Sequence, residues 1–134
     1  MKKGIMRFGF MALLGLSFAG QASTTQECNG AYVDTIAVEG TRVDIPGLSG
    51  TLLISFKDAS GNLMTCGMGT GRYVYIKAEE HKEVFDAMLS VAFMARANNL
   101  PVRYMVMPDR AIASARELSF LQIQSDIPGF YDTK

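Results

Sequence analysis

Five segments patterned as strands and one amphipathic helix between the third and fourth of them predict a mainly β fold of order β-β-β-α-β-β. One helix cannot cover both faces of a flat five-stranded sheet. Rolling the sheet into a small barrel, with the helix plugging one end, buries the apolar faces most completely, and the order of elements is that of an OB-fold. The alternative is an open α+β sheet with the single helix across one face. A chain of 134 residues has room for one such core and not for two. Apolar residues make up 49% of it and charged residues 19%, which excludes an acidic disordered tail and a basic nucleic-acid binder.

Residues 1–22 stand apart from this domain. Lys2, Lys3 and Arg7 form a positive start, Phe8 to Phe18 a mostly apolar run, and Gly20 and Ala22 the small residues before a cleavage point at Ser23. This is the layout of a cleaved secretory signal peptide, and the run is shorter than the roughly 18 residues that a membrane span needs. The alternative is an uncleaved N-terminal anchor. Gln26 and Glu27 precede Cys28 where a lipoprotein signal would carry small apolar residues. Residues 23–134 are then a single OB-like domain with 10 basic and 13 acidic side chains. A mildly acidic domain has no electrostatic pull toward nucleic acid or anionic lipid, and no later stretch is long and apolar enough to span a bilayer. The expected location is the periplasm or the outside of the cell.

In that domain Ala31 to Asp44 reads as one long strand bent by a bulge at Gly40, and Ile45-Pro46-Gly47 and Ser49-Gly50 as turns. Thr51 to Lys57 is the second strand, with Leu52, Ile54 and Phe56 on one face, and Asp58 to Asn62 a hairpin loop. Leu63 to Met68 and Tyr73 to Lys77 form a third strand split by glycines. Glu79 to Asn98 is the helix. Its apolar stripe is Val84, Met88, Val91 and Ala95, widened by Phe85, Leu89 and Ala92. Pro101 to Met107 and Leu118 to Gln124 are the last two strands, and Arg110 to Glu117 is read as a short helical turn. Phe93 and Met94 fall off the apolar stripe, and an apolar residue there implies a covering loop, such as Pro108 to Glu117, or a partner subunit. They are the candidate interface of a homo-oligomer.

Two cysteines, Cys28 and Cys66, in an oxidising compartment allow one intramolecular disulfide. Two free thiols or an intermolecular bridge are the alternatives. The catalytic inventory is thin. His81, the single histidine, lies between Glu80 and Lys82 and reads as a solvated surface residue, with no nucleophile in a recognisable context. Glu79, Glu80, Glu83 and Asp86 read as a solvated helix start complementing the dipole. Gly67-Met68-Gly69-Thr70-Gly71 lacks the spacing of a phosphate loop and is followed by a strand rather than a helix. Met64, Cys66 and Met68, or Met105 and Met107, alternate as soft copper ligands would, but same-face methionines are ordinary core residues. No catalytic set, metal set or cofactor motif is assigned. No tryptophan is present, so a bound sugar would stack on Tyr32, Tyr73, Tyr75, Tyr104 or Tyr131.

A strand running into Cys66-Gly67, the segment Tyr73-Val74-Tyr75-Ile76, the helix with Ala87-Met88-Leu89-Ser90-Val91-Ala92, then Pro101-Val102-Arg103-Tyr104 and Phe120 to Ile123, form a further pattern. It resembles the binding subunits of subtilase-cytotoxin and pertussis-like bacterial toxins, and small secreted proteins of the same layout. The resemblance covers roughly Ala31 to Gln124. It implies a secreted OB-fold, no catalysis and, for toxin members, a ring of five subunits that binds sialylated host glycans, with the helix facing the central pore. The chain departs from the pattern where toxin members carry a second cysteine after the fourth strand. Met107-Pro108-Asp109 stands there, so Cys28 takes over as the partner of Cys66. No glycan-pocket residue of the toxins carries over position by position. The expected function is a noncatalytic binding module for a glycan or a protein. A structural, envelope-associated periplasmic protein without a soluble ligand is the alternative, with a copper-binding protein behind it.

Overall fold

The computed structural model describes residues 24–66, 69 and 71–125; the signal-peptide assignment, Met68 and Tyr131 lie outside them. Six strands and one α-helix follow in the order β1 (Gln26–Val38), β2 (Thr51–Lys57), β3 (Leu63–Met64), β4 (Val74–Lys77), α1 (Lys82–Ala97), β5 (Val102–Ile112) and β6 (Ala115–Ile123). They form one sheet of order β1-β5-β6-β4-β2-β3, and a further β1–β2 pairing closes five of the strands into a ring. All pairings are antiparallel except β4–β6. That parallel pair joins the strand before the helix to the last strand, the connection of an OB-like ring. Among the described residues the protein is thus mainly β with a single α-helix, as the element order predicts.

The alternation in TLLISFK places Leu52, Ile54 and Phe56 inside the ring. There they meet Val74 and Ile76 of β4, Val102, Tyr104 and Val106 of β5, and Leu118 and Leu121 of β6. Tyr104, fully buried, stacks on Phe56 with ring centroids 3.9 Å apart. Ala92 and Ala95 of α1 are buried against this core, and Phe85, Met88, Leu89 and Val91 pack on it as partly buried residues. Val84, read as part of the stripe, is instead 43% exposed. Cys28 and Cys66 are joined in a disulfide, their Cα atoms 5.9 Å apart, so the intramolecular pairing is the one observed.

Several elements depart from the expectation for identifiable reasons. The first strand begins at Gln26 and stops at Val38, because its N-terminal half pairs with β5 and its C-terminal half with β2. Its irregularities fall between Cys28 and Ala31 and between Val33 and Thr35, not at Gly40. The expected third strand is two strands, since β3 pairs with Phe56 and Lys57 while β4 pairs with Thr51–Ile54. The helix starts at Lys82, as residues 78–80 form a turn. Arg110 to Glu117 is no helical turn: β5 and β6 pair through Ala111–Arg116 and Ile112–Ala115, and the turn between them holds Ala113 at φ +52°. This hairpin leans on the outer face of β2 and β4, where Leu48, Leu53, Tyr75 and Ala115 make a second, smaller core with Ile112 against it.

Candidate functional site

One flank of the ring gathers polar side chains around an aromatic one. Tyr32 of β1 pairs directly with Lys57 of β2, so the phenol and the ammonium stem stand side by side. The register slips between Val33 and Thr35, which makes Asp34 the extra residue of a β-bulge. Bulges re-aim side chains in this way. The Asp34 carboxylate accepts hydrogen bonds from Thr35 Oγ1 (3.2 Å), Ser55 Oγ (3.3 Å) and Arg72 Nη2 (3.3 Å). Partial burial works to raise its pKa, but these donors and the Lys57 charge outweigh that effect and hold it below the ordinary carboxylate range. Arg96 of α1 ties the helix to the same place by donating from Nε to the Asp34 carbonyl oxygen at 3.0 Å.

The hairpin loop after β2 and the end of the helix complete the walls. Asp58 accepts from the backbone N–H groups of Ser60 and Asn62, both at 2.9 Å, which fixes the loop without using the neighbouring lysine. Asn99, at φ +50°, ends the helix in the left-handed conformation that asparagine tolerates well. Tyr32, Lys57, the 58–61 loop and Asn99 enclose a depression of about 350 Å³. A second of about 250 Å³ lies between Asp34, Lys57, Leu63 and Arg72, and the two share Lys57 and Gly61. The Tyr32 hydroxyl, the Lys57 ammonium and the Asn99 side-chain amide form no hydrogen bond or ion pair with a described residue. Donors, acceptors and one ring face therefore meet in a continuous groove open to solvent.

No protein-family model and no curated protein sequence matches this chain. Its own geometry carries the functional reading.

A second groove, of about 370 Å³, runs on the outer face of the ring between the 39–48 loop and the β5–β6 hairpin. Ile45, Leu48, Leu53 and Tyr73 make it largely apolar, and Glu39 and Arg42 stand at its rim. Those two rim residues are ion-paired with each other at 3.0 Å, which leaves little free hydrogen-bonding capacity there.

The residues singled out in the sequence are scattered. Of the five tyrosines, Tyr32 lies in the polar groove and Tyr73 in the apolar one. Tyr75 and Tyr104 are core residues, and burial pushes both phenols above their ordinary pKa. Cys66 spends its sulfur in the disulfide, and Met64 packs against the core, so neither is set as a copper ligand. Phe93 and Met94 are 53% and 55% exposed, and the 108–117 segment does not cover them because it is drawn into the hairpin. His81 is partly exposed but not merely solvated: its Nε2 lies 2.8 Å from Oε1 of Glu117, whose side chain is 2% exposed. Lys57, Asp34 and Asn99 escaped the sequence reading. The alternation of β2 with its loop hinted that Lys57 sits at a sheet end, but only the cross-strand register places Tyr32 opposite it.

Proposed function

We propose that the protein is a noncatalytic, exported binding module that takes a glycan in the groove of Tyr32, Asp34, Lys57 and Asn99. The observation that carries the reading is the convergence of the Tyr32 hydroxyl, the Lys57 ammonium and the Asn99 amide, none of them hydrogen-bonded to a described residue, on one depression beside the Tyr32 ring. A sugar needs that combination: an apolar ring face to stack on and fixed donors and acceptors for its hydroxyls. Lys57 stands where the two depressions join and offers one cation to an acidic sugar, which agrees with the sialylated ligands that the toxin resemblance implies, while Arg72 is paired with Asp34. The pre-set Asp34 network supports it, since a carboxylate already held by three donors loses little freedom when a ligand arrives.

Self-association through α1 is the second part of the proposal. Phe93 and Met94 are half exposed, and small side chains at Ala87, Ser90 and Ala97 allow a second helix to approach their outer face closely. A homo-oligomer would repeat the groove and convert weak single-site binding into avidity.

A glycan array with the disulfide-intact protein, read beside Lys57→Ala and Tyr32→Ala, tests the groove. Binding to sialylated glycans that both variants abolish is the expected result. An array without binders, or binding unchanged in the variants, refutes it. Light scattering tests the helix face: an oligomer that Phe93→Glu converts to a folded monomer is expected, and a monomeric wild type refutes it.

A further inference from the structure

We propose that Glu80, His81 and Glu117 form a binding site for a divalent transition-metal ion of the zinc class. The site lies where the β4–α1 turn meets β6, away from the polar groove. One ligand atom from each of the three residues lies within 4.8 Å of the others. His81 Nε2 and Glu117 Oε1, now hydrogen-bonded at 2.8 Å, need to part only to about 3.3–3.6 Å to share a tetrahedral ion at bonds of about 2.0–2.2 Å.

The two carboxylates arrive differently. Glu117 is held in β6 by its pairing with Tyr75 on one side and Met107 on the other, and it is almost fully buried. Its Oε2 accepts from Arg110 Nη1 at 3.1 Å, and the same nitrogen reaches Oε1 at a longer 3.4 Å. The guanidinium thus holds the carboxylate mainly through Oε2, while Oε1 is shared between a longer contact to Arg110 and the imidazole, as an outer-sphere partner orients a metal-bound carboxylate. Glu80 is exposed. Its present partner is Lys77, whose Nζ is 3.8 Å away and also 3.3 Å from Glu79, so an ion can take Glu80 while Lys77 keeps Glu79.

Access and charge fit the same ligand. A depression of about 380 Å³ opens over Glu80 and His81 and admits water to the remaining coordination positions. The start of α1 presents the positive end of the helix dipole and Lys82 adds a cation to the rim, both of which repel a metal ion, but Glu79 and Glu83 on the same rim oppose them. One imidazole and two carboxylates suit zinc or its neighbours. Calcium would want six to eight oxygen ligands, and magnesium mostly water.

His81 is the single histidine, so its imidazole gives an isolated NMR signal. Zinc chloride is titrated into the disulfide-intact chain while the imidazole 1H–15N correlations are followed, with magnesium chloride as the control. The expected result is saturation at one zinc per chain, a shift of the imidazole signal, and no response to magnesium. His81→Ala and Glu80→Gln should each weaken zinc affinity, measured by calorimetry, at least tenfold. The His81 side chain makes no capping bond to the helix but is a partner of the buried Glu117 carboxylate, so His81→Ala is read only where it folds. If it does not, the exposed Glu80→Gln decides. An imidazole that ignores zinc, or wild-type zinc affinity in Glu80→Gln, overturns the proposal.

Discussion

Removing the disulfide by the double substitution Cys28→Ala, Cys66→Ala should cost about 3–4 kcal/mol of folding stability. The bond links residues 38 apart in sequence. Closing a loop of that length removes denatured-state entropy worth about 4 kcal/mol at 25 °C in the chain-entropy treatment. Cys66 also sits at φ +50°, a left-handed conformation that disfavours any residue with a Cβ by roughly 1–2 kcal/mol. Alanine inherits that penalty while the strand order stays as it is, so the substitution recovers little of it. Cys28 is 7% exposed and lies in the core, and the loss of its sulfur adds a small cavity. For a domain of this size each kcal/mol shifts Tm by about 4 °C, so the expected fall is about 12–16 °C. Thermal unfolding followed by circular dichroism, with and without reductant, measures it. The reduced wild type should fall by a similar amount, and the double variant should not respond to reductant. A fall of less than about 5 °C in both would refute the loop-entropy reasoning.

Tyr104→Ala should destabilise by about 3–5 kcal/mol, because it empties a fully buried site stacked on Phe56. Tyr104→Phe should cost under about 1 kcal/mol, since the hydroxyl reaches the Met64 carbonyl only at 3.5 Å; urea titrations separate the two. Asp34 has its pKa lowered in the folded state, so its contribution is present above the unfolded value near 4 and is lost as pH falls through the lower folded value. Asp34→Asn should therefore flatten stability against pH on the acid side of about pH 4, and an unchanged acid limb in denaturant melts would contradict it. Ala113→Gly should raise stability by roughly 1 kcal/mol by relieving the φ of +52° in the β5–β6 turn. A loss of stability in the same melts would favour a helical turn there instead.

What the sequence could tell follows from the range of the forces involved. The alternation of Leu52, Ile54 and Phe56, the 3.6-residue period from Phe85 to Ala95 and the small-residue punctuation around them depend on local geometry. Read along the chain, they yield the mainly β order with its single helix. The cysteine pairing was legible because two cysteines permit only one bond within a chain. The path of Arg110 to Glu117 was not legible, because one large apolar residue, Ile112, among seven polar and small ones carries no period. Pairing with β5 and the anchoring of Ile112 in the second core decide their conformation.

The groove and the histidine site belong wholly to tertiary structure. Tyr32 and Lys57 are 25 positions apart and meet only because the β1–β2 register sets them opposite each other. The bulge at Asp34 is a one-residue slip that no hydropathy pattern records. His81 and Glu117 are 36 positions apart, and only the parallel β4–β6 pairing brings the last strand beside the start of the helix. Glutamate on a strand reads locally as a solvated residue. Its burial here rests on Arg110 and His81 supplying the hydrogen bonds that an enclosed carboxylate requires, and those partners come from two other elements of the fold.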